Sequence, residues 1–220
     1  MMRWQDTSPL TFDRSERFNR RLVWPVCLLL CAACAGTSET VGLPLQPVGA
    51  TAAQGGGEKV LVTPFKDQRL SQSHLGMRSH LGGGVTYFDA AGGKAVEAVA
   101  RMVAEHLART GRKAWYGKPG EAGAEGQPDV TVTGQIRDLT VNAKSRFGST
   151  VITAKFHITL QALNAADGST TRLTLDGSRE KAVVWFEARD VEELLNSALT
   201  ESLEKVLIDV KFDNGAWRIK

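Results

Sequence analysis

The sequence predicts an α+β domain: a mainly antiparallel sheet with two helices packed on one face, in the order β-α-β-β-β-β-α. Three observations predict it. Ile152, Ala154, Phe156, Ile158, Leu160 and Ala162 alternate with Thr153, Lys155, His157, Thr159 and Gln161, the two-residue period of a strand with one dry and one wet face. Val96, Val99, Ala100, Val103 and Leu107 recur at three- and four-residue spacing, the period of a helix with one apolar side. Val191, Leu194, Leu195, Ala198, Leu199, Val206 and Leu207 repeat that helical spacing near the end of the chain.

The elements follow in order. Lys59-Val-Leu-Val-Thr-Pro64 is a short apolar run stopped by proline, hence a first strand. From Asp67-Gln68-Arg69 through Gly82-Gly83-Gly84 to Phe88 the chain is rich in Gly and Ser, which predicts one long loop over 67–90, of a length that is commonly functional or disordered. The first helix is expected over 91–110, with Asp89 as N-cap and Gly111 as its stop. Lys113 to Tyr116 forms a short strand, and a polar Gly-rich connection follows from Gly117 to Pro128. In the next strand Val130, Val132, Gly134 and Ile136 alternate on even positions, then Leu139, Val141 and Ala143 on odd ones. That change of phase requires an extra residue, so a β-bulge is expected near Arg137-Asp138. Asn164 to Gly168 reads as a turn and Leu173 to Phe186 as the last long strand. Asp190-Val-Glu-Glu193 has the spacing of a capping box and opens the second helix.

Ahead of this domain lies a leader. Arg20-Arg21 precede an apolar run from Leu22 to Ala33, about a dozen residues where a bilayer crossing needs about 20. A basic flank, a short apolar run and small residues at its end make a secretion signal. Ala32-Ala33-Cys34 resembles the lipobox of bacterial lipoproteins, with Cys31 where that family usually has Leu. The resemblance implies a thiol at Cys34 that receives diacylglycerol, cleavage before it, and acylation of the new amine with a chain such as palmitate. The covalent lipid on Cys34 is then the sole cofactor expected, and the membrane the first partner. Ala35, where an Asp would imply inner-membrane retention, implies the periplasmic face of the outer membrane. The division expected is 1–33 signal peptide, 34–57 acylated cysteine and flexible tether, 58–210 single α+β domain, and 211–220 a C-terminal tail.

The leader with Cys34, the first strand running into Asp67-Gln68-Arg69, the helix ending in Leu107-Ala-Arg-Thr-Gly111, the strand 129–141 and the strand-then-helix ending at 182–207 together resemble YajG-like bacterial lipoproteins over residues 22–208. The resemblance implies an outer-membrane-anchored α+β domain with no established activity.

Composition and motifs narrow the rest. Residues 1–33 hold five Arg and three acids, so the remainder carries 22 basic and 21 acidic side chains. That balance argues against a nucleic-acid partner. Cys27, Cys31 and Cys34 lie within eight residues of one another, with no later cysteine to build a disulfide or a zinc site. His74 and His80 flank a loop segment but lack the third ligand and closer spacing of a metal set. His106 beside an apolar stripe and His157 on the wet strand face read as structural or solvated. Gly82-Gly83-Gly84 lacks the Lys-Ser or Lys-Thr of a phosphate loop, and no Gly-x-Ser-x-Gly occurs. Glu192-Glu193 suits a helix N-terminal turn better than paired-carboxylate chemistry.

No catalytic residue and no metal ligand is therefore expected. Asp67 and Arg69 are the candidate partner-binding pair, weighed against a local ion pair or Asx-turn. The expected role is a non-catalytic, lipid-anchored binding or assembly domain, whose partner is an envelope protein or a peptidoglycan strand. An accessory subunit of an envelope transport or assembly complex is the alternative, and an envelope hydrolase a weaker one. The sequence does not set the oligomeric state.

Overall fold

A computed structural model describes residues 38–49, 57–123 and 126–220. The leader and Cys34 lie outside the described residues. The elements are β1 (Glu39–Leu43), β2 (Lys59–Val62), β3 (Lys66–Asp67), β4 (Gly76–Ser79), β5 (Val85–Ala90), α1 (Ala95–Arg109), β6 (Lys113–Tyr116), β7 (Val130–Arg146), β8 (Ser149–Asn164), β9 (Thr170–Val183), α2 (Ala188–Ile208), β10 (Val210–Asp213) and β11 (Ala216–Ile219).

The long strand β7 organises the sheet. On one side it pairs antiparallel with β8, which pairs antiparallel with β9. Its other side is filled by one stretch of chain broken into three: β2 beside Val130–Val132, β3 beside Gln135 and Ile136, and β4 beside Ala143 and Lys144, all parallel to β7. Pro64, which has no N–H to donate, separates the first two pieces. β6 then flanks β2, β5 flanks β4, and β1 flanks β5. The fold is thus α+β with a mixed sheet: most paired residues are antiparallel, and the short strands join in parallel. The register of β7 against β8 shifts between Ile136 and Asp138, so the bulge lies where the change of phase places it.

One apolar cluster lies between the sheet and both helices. Val96, Val99, Ala100, Val103 and Leu107 of α1 and Val191, Leu195, Ala198, Leu199, Leu203 and Leu207 of α2 are buried in it, with the even-numbered apolar residues of β8 opposite. Gly111, at φ +91°, ends α1, and its N–H donates to the Ala108 carbonyl.

Several expectations are corrected. The tether expected over 34–57 is, where described, part of the domain: β1 pairs parallel with β5, and Leu43 and Leu45 are buried in the core. Gly, Pro and Thr hid a segment whose Leu43 and Leu45 point inward. The loop expected over 67–90 is mostly the β4–β5 hairpin, leaving only residues 68–75 as a loop. Gly76 is needed there because a Cβ would lie 1.8 Å from the Val141 carbonyl oxygen. The tail expected over 211–220 is the hairpin β10–β11, turning at Asn214-Gly215 with both residues at positive φ. Trp217 of β11 is buried; its backbone N–H donates to Asn164 Oδ1 (2.8 Å), and its backbone carbonyl accepts from Thr171 Oγ1 (2.7 Å).

Both expected helix starts move. Asp89 lies in β5, and α1 begins at Ala95 after the N-cap Lys94. Asp190 is not the N-cap of α2 but its third residue: the N-cap is Glu187, whose N–H donates to Asp190 Oδ2 at 3.0 Å. The carboxylate still closes the helix start, three residues earlier than the spacing suggested.

Candidate functional site

The site follows from the break in the strand beside β7. After Asp67, level with Ile136 at the bulge, the chain leaves the sheet and returns at Leu75, whose carbonyl accepts from the Val141 N–H. The excursion 68–75, the end of β5 and the start of α1 enclose an open cleft of about 610 Å³. Its lining includes Asp67, Arg69, Gln72, Ser73, His74, Asp89, Lys94 and the first residues of α1.

Asp67 and Arg69 meet here, but chiefly each other. The guanidinium donates to both carboxylate oxygens, Nε to Oδ1 at 2.9 Å and Nη2 to Oδ2 at 2.8 Å. The Arg69 backbone N–H also donates to Asp67 Oδ1 at 3.2 Å, closing an Asx-turn. Arg69 Nη1 reaches the His74 carbonyl at 3.3 Å. Arg69 is 7% exposed. The Arg69 guanidinium, bonded to Asp67, holds that carboxyl below the ordinary carboxylate range despite its partial burial. The pair therefore sets the shape of the excursion and forms one wall of the cleft.

The opposite wall is a second pair. His74 Nδ1 lies 2.9 Å from Asp89 Oδ1, and the imidazole stacks on Tyr87 with ring centres 4.3 Å apart. His80 is engaged elsewhere, with Nε2 2.9 Å from Thr86 Oγ1. Ser73 lines the cleft, and no hydrogen bond links it to His74 among the described residues. Lys94 is exposed at the mouth, beside the first N–H groups of α1. The cleft thus offers a cation, helix N–H donors and an aromatic-backed imidazole, an arrangement suited to holding a polar group. His74, Asp89, Tyr87 and Lys94 are not legible as a group in the sequence, because only the pairing of β4 with β5 gathers them. Among the described residues no group of three or more His, Cys, Asp or Glu is placed to hold a metal ion.

The wet sheet face is the second candidate surface. Thr133, Gln135, Arg137, His157, Thr159, Gln161, Arg172 and Thr174 line a shallow depression of about 260 Å³. His157 Nδ1 lies 3.7 Å from Asp176 Oδ1, and both are substantially exposed. This depression lies on the polar face of the sheet and is smaller in volume than the cleft.

Fold and cleft together define a class: a mixed-sheet α+β domain with a polar pocket where a broken strand meets a helix N-terminus. No protein-family model matches the chain, and no curated protein matches it. Its structure is similar to that of protein XCC0632 from Xanthomonas campestris, a DUF330 protein, at 13% identity and a TM-score of 0.47, covering 78% of this chain and 93% of that one. It is also similar to an uncharacterized protein at 8% identity and a TM-score of 0.43, covering 78% and 97%.

Proposed function

We propose that the chain is a YajG-like bacterial lipoprotein, anchored through acylated Cys34 to the periplasmic face of the outer membrane, whose domain binds an envelope protein or peptidoglycan strand without catalysis. The observation that carries the anchor is Ala32-Ala33-Cys34 behind a short apolar run with a basic flank. Two or three acyl chains on one residue hold a protein firmly, since each buried methylene contributes about 0.8 kcal/mol and one chain alone binds only marginally. Among the described residues no helix is long and apolar enough to cross a membrane. The binding role draws support from the cleft, whose walls are fixed by the Asp67–Arg69 and His74–Asp89 pairs while Lys94 stands at its mouth.

Two experiments test this. Cells fed labelled palmitate should label the wild-type chain and not Cys34→Ser. Unlabelled wild-type protein, or a mature N-terminus other than Cys34, removes the anchor. Pull-down from envelope extract, protein and purified peptidoglycan alike, should lose its partner in Lys94→Glu with Asp89→Ala. Removing residues 70–86 is unsuitable, because β4 lies between β5 and β7. Unchanged capture by the double variant moves the binding surface away from the cleft.

A further inference from the structure

We propose that the end of the sheet where β1 begins rests on the phospholipid surface and dips apolar side chains into it; this rests on the lipid-anchor reading above. The register collects that end. Glu39, Thr86, Arg78, Ala143, Ile152 and Lys181 form one row across β1, β5, β4, β7, β8 and β9. Past this row, on the side toward Ser38, each strand soon ends in a turn or connection. The β4–β5 turn carries Leu81, the β7–β8 turn carries Phe147, and the segment after β9 carries Val184 and Trp185. These four are 66%, 95%, 71% and 86% exposed. Single exposed apolar residues are ordinary, but four large ones at the tips of one sheet end form a surface that gains by leaving water.

The tips are braced. The Arg78 guanidinium lies 3.9 Å over the Phe186 ring, and its Nε donates to Ser145 Oγ at 3.0 Å. One side chain thus ties the β7–β8 hairpin to the residue after Trp185. Phe186 in turn packs on the buried Phe88. Lys144 and Arg146 stand exposed beside Phe147 and have no ion-pair partner among the described residues. Cations next to exposed aromatic and aliphatic side chains suit lipid phosphates over acyl chains.

Chain length decides between a lipid and a protein as occupant. Ser38 follows Cys34 by four residues, which extend to about 14 Å at most. The β1 edge of this end therefore stays within that distance of the acylated residue. Between the β1 edge and the bilayer, such a gap admits lipid headgroups but not a folded partner, since even a small domain is about 30 Å across.

The lipidated full-length product is reconstituted in phosphatidylethanolamine–phosphatidylglycerol vesicles doped with brominated phosphatidylcholine, and tryptophan fluorescence is compared with Trp185→Phe. Trp4 and Trp24 precede Cys34, Trp115 is half-buried in β6 and Trp217 is buried, and both are unchanged in the variant, so the difference isolates Trp185. Intact mass reports the acyl chains, and circular dichroism reports the fold of the variant. The expected result is a Trp185 signal shifted to the blue and lost in brominated vesicles. Acyl chains present with Trp185 unshifted and unquenched overturn the lipid-contact proposal alone, as a soluble protein occupant of this end requires. Acyl chains missing from Cys34 overturn both it and the anchor.

Discussion

At the scale of single residues, Asp67 and Arg69 show how a candidate binding pair can be a structural one. Each satisfies the other, and the Asx-turn between them fixes where the chain leaves β7. Asp67→Asn leaves a nearly buried guanidinium without its counter-charge. The loss should be about 2–3 kcal/mol, below the usual range for a fully buried pair because the carboxylate is one-fifth exposed. Denaturant unfolding at neutral pH measures it. The Asp67 carboxyl lies below its ordinary 3.8 when folded, so its contribution is present above that value and fades as pH falls through the folded value. The difference between wild type and Asp67→Asn should therefore narrow in acid. His106 behaves differently. It is fully buried, with no hydrogen-bond partner on either ring nitrogen among the described residues, and burial pushes its pKa below 6.5. The unfolded chain takes up the proton first, so stability rises with pH across the window just below 6.5 and falls as acid is added. His106→Leu should flatten that slope without loss at neutral pH, because an apolar side chain leaves no buried nitrogen unpaired. A slope unchanged by the substitution would assign the acid sensitivity to other groups.

Among the elements, those with a strong period were legible and those held by distant partners were not. The wet and dry faces of β8, the bulge in β7, the apolar side of α1 and its stop at Gly111 follow from local pattern. β1 does not, because its reason for existing lies in α2. Asn196, buried in α2, accepts from the Gln46 N–H (3.3 Å) and donates to the Pro44 carbonyl (2.9 Å), and Thr200 Oγ1 accepts from the Val48 N–H (3.1 Å). These contacts span about 150 positions in sequence, and no local pattern announces them. The cleft escaped for the same reason: His74 and Asp89 are 15 residues apart and meet only once β4 and β5 pair. The C-terminal hairpin does have a local signal: Asn214-Gly215 between Phe212 and Trp217 is a strong turn sequence. Asn196→Ala strips two backbone groups of their partners and should cost about 2–3 kcal/mol. Hydrogen exchange should localise the effect to residues 39–48, with β7 and β8 still protected. Uniform loss of protection would instead make this segment part of the global folding unit.

For the whole molecule, what matters is that the domain begins at Ser38 rather than after residue 57. A tether of more than 20 residues would let the domain sample many orientations above a bilayer. On the proposed anchor at Cys34, four residues would hold one end of the sheet close to it. If that closeness is what seats the rim on lipid, lengthening the connection should undo it while leaving the fold intact. Twenty Gly/Ser residues inserted after Ala35 give a root-mean-square span of about 25 Å. Burying the rim's apolar area then has to offset the freedom of a longer chain, though the rim itself is unchanged. Trp185 quenching by brominated lipid should weaken in the lengthened protein, while its thermal midpoint and its acyl mass stay those of the wild type. Quenching that survives the insertion at full strength would mean that the rim holds lipid by its own affinity, and that the short connection contributes nothing to its placement.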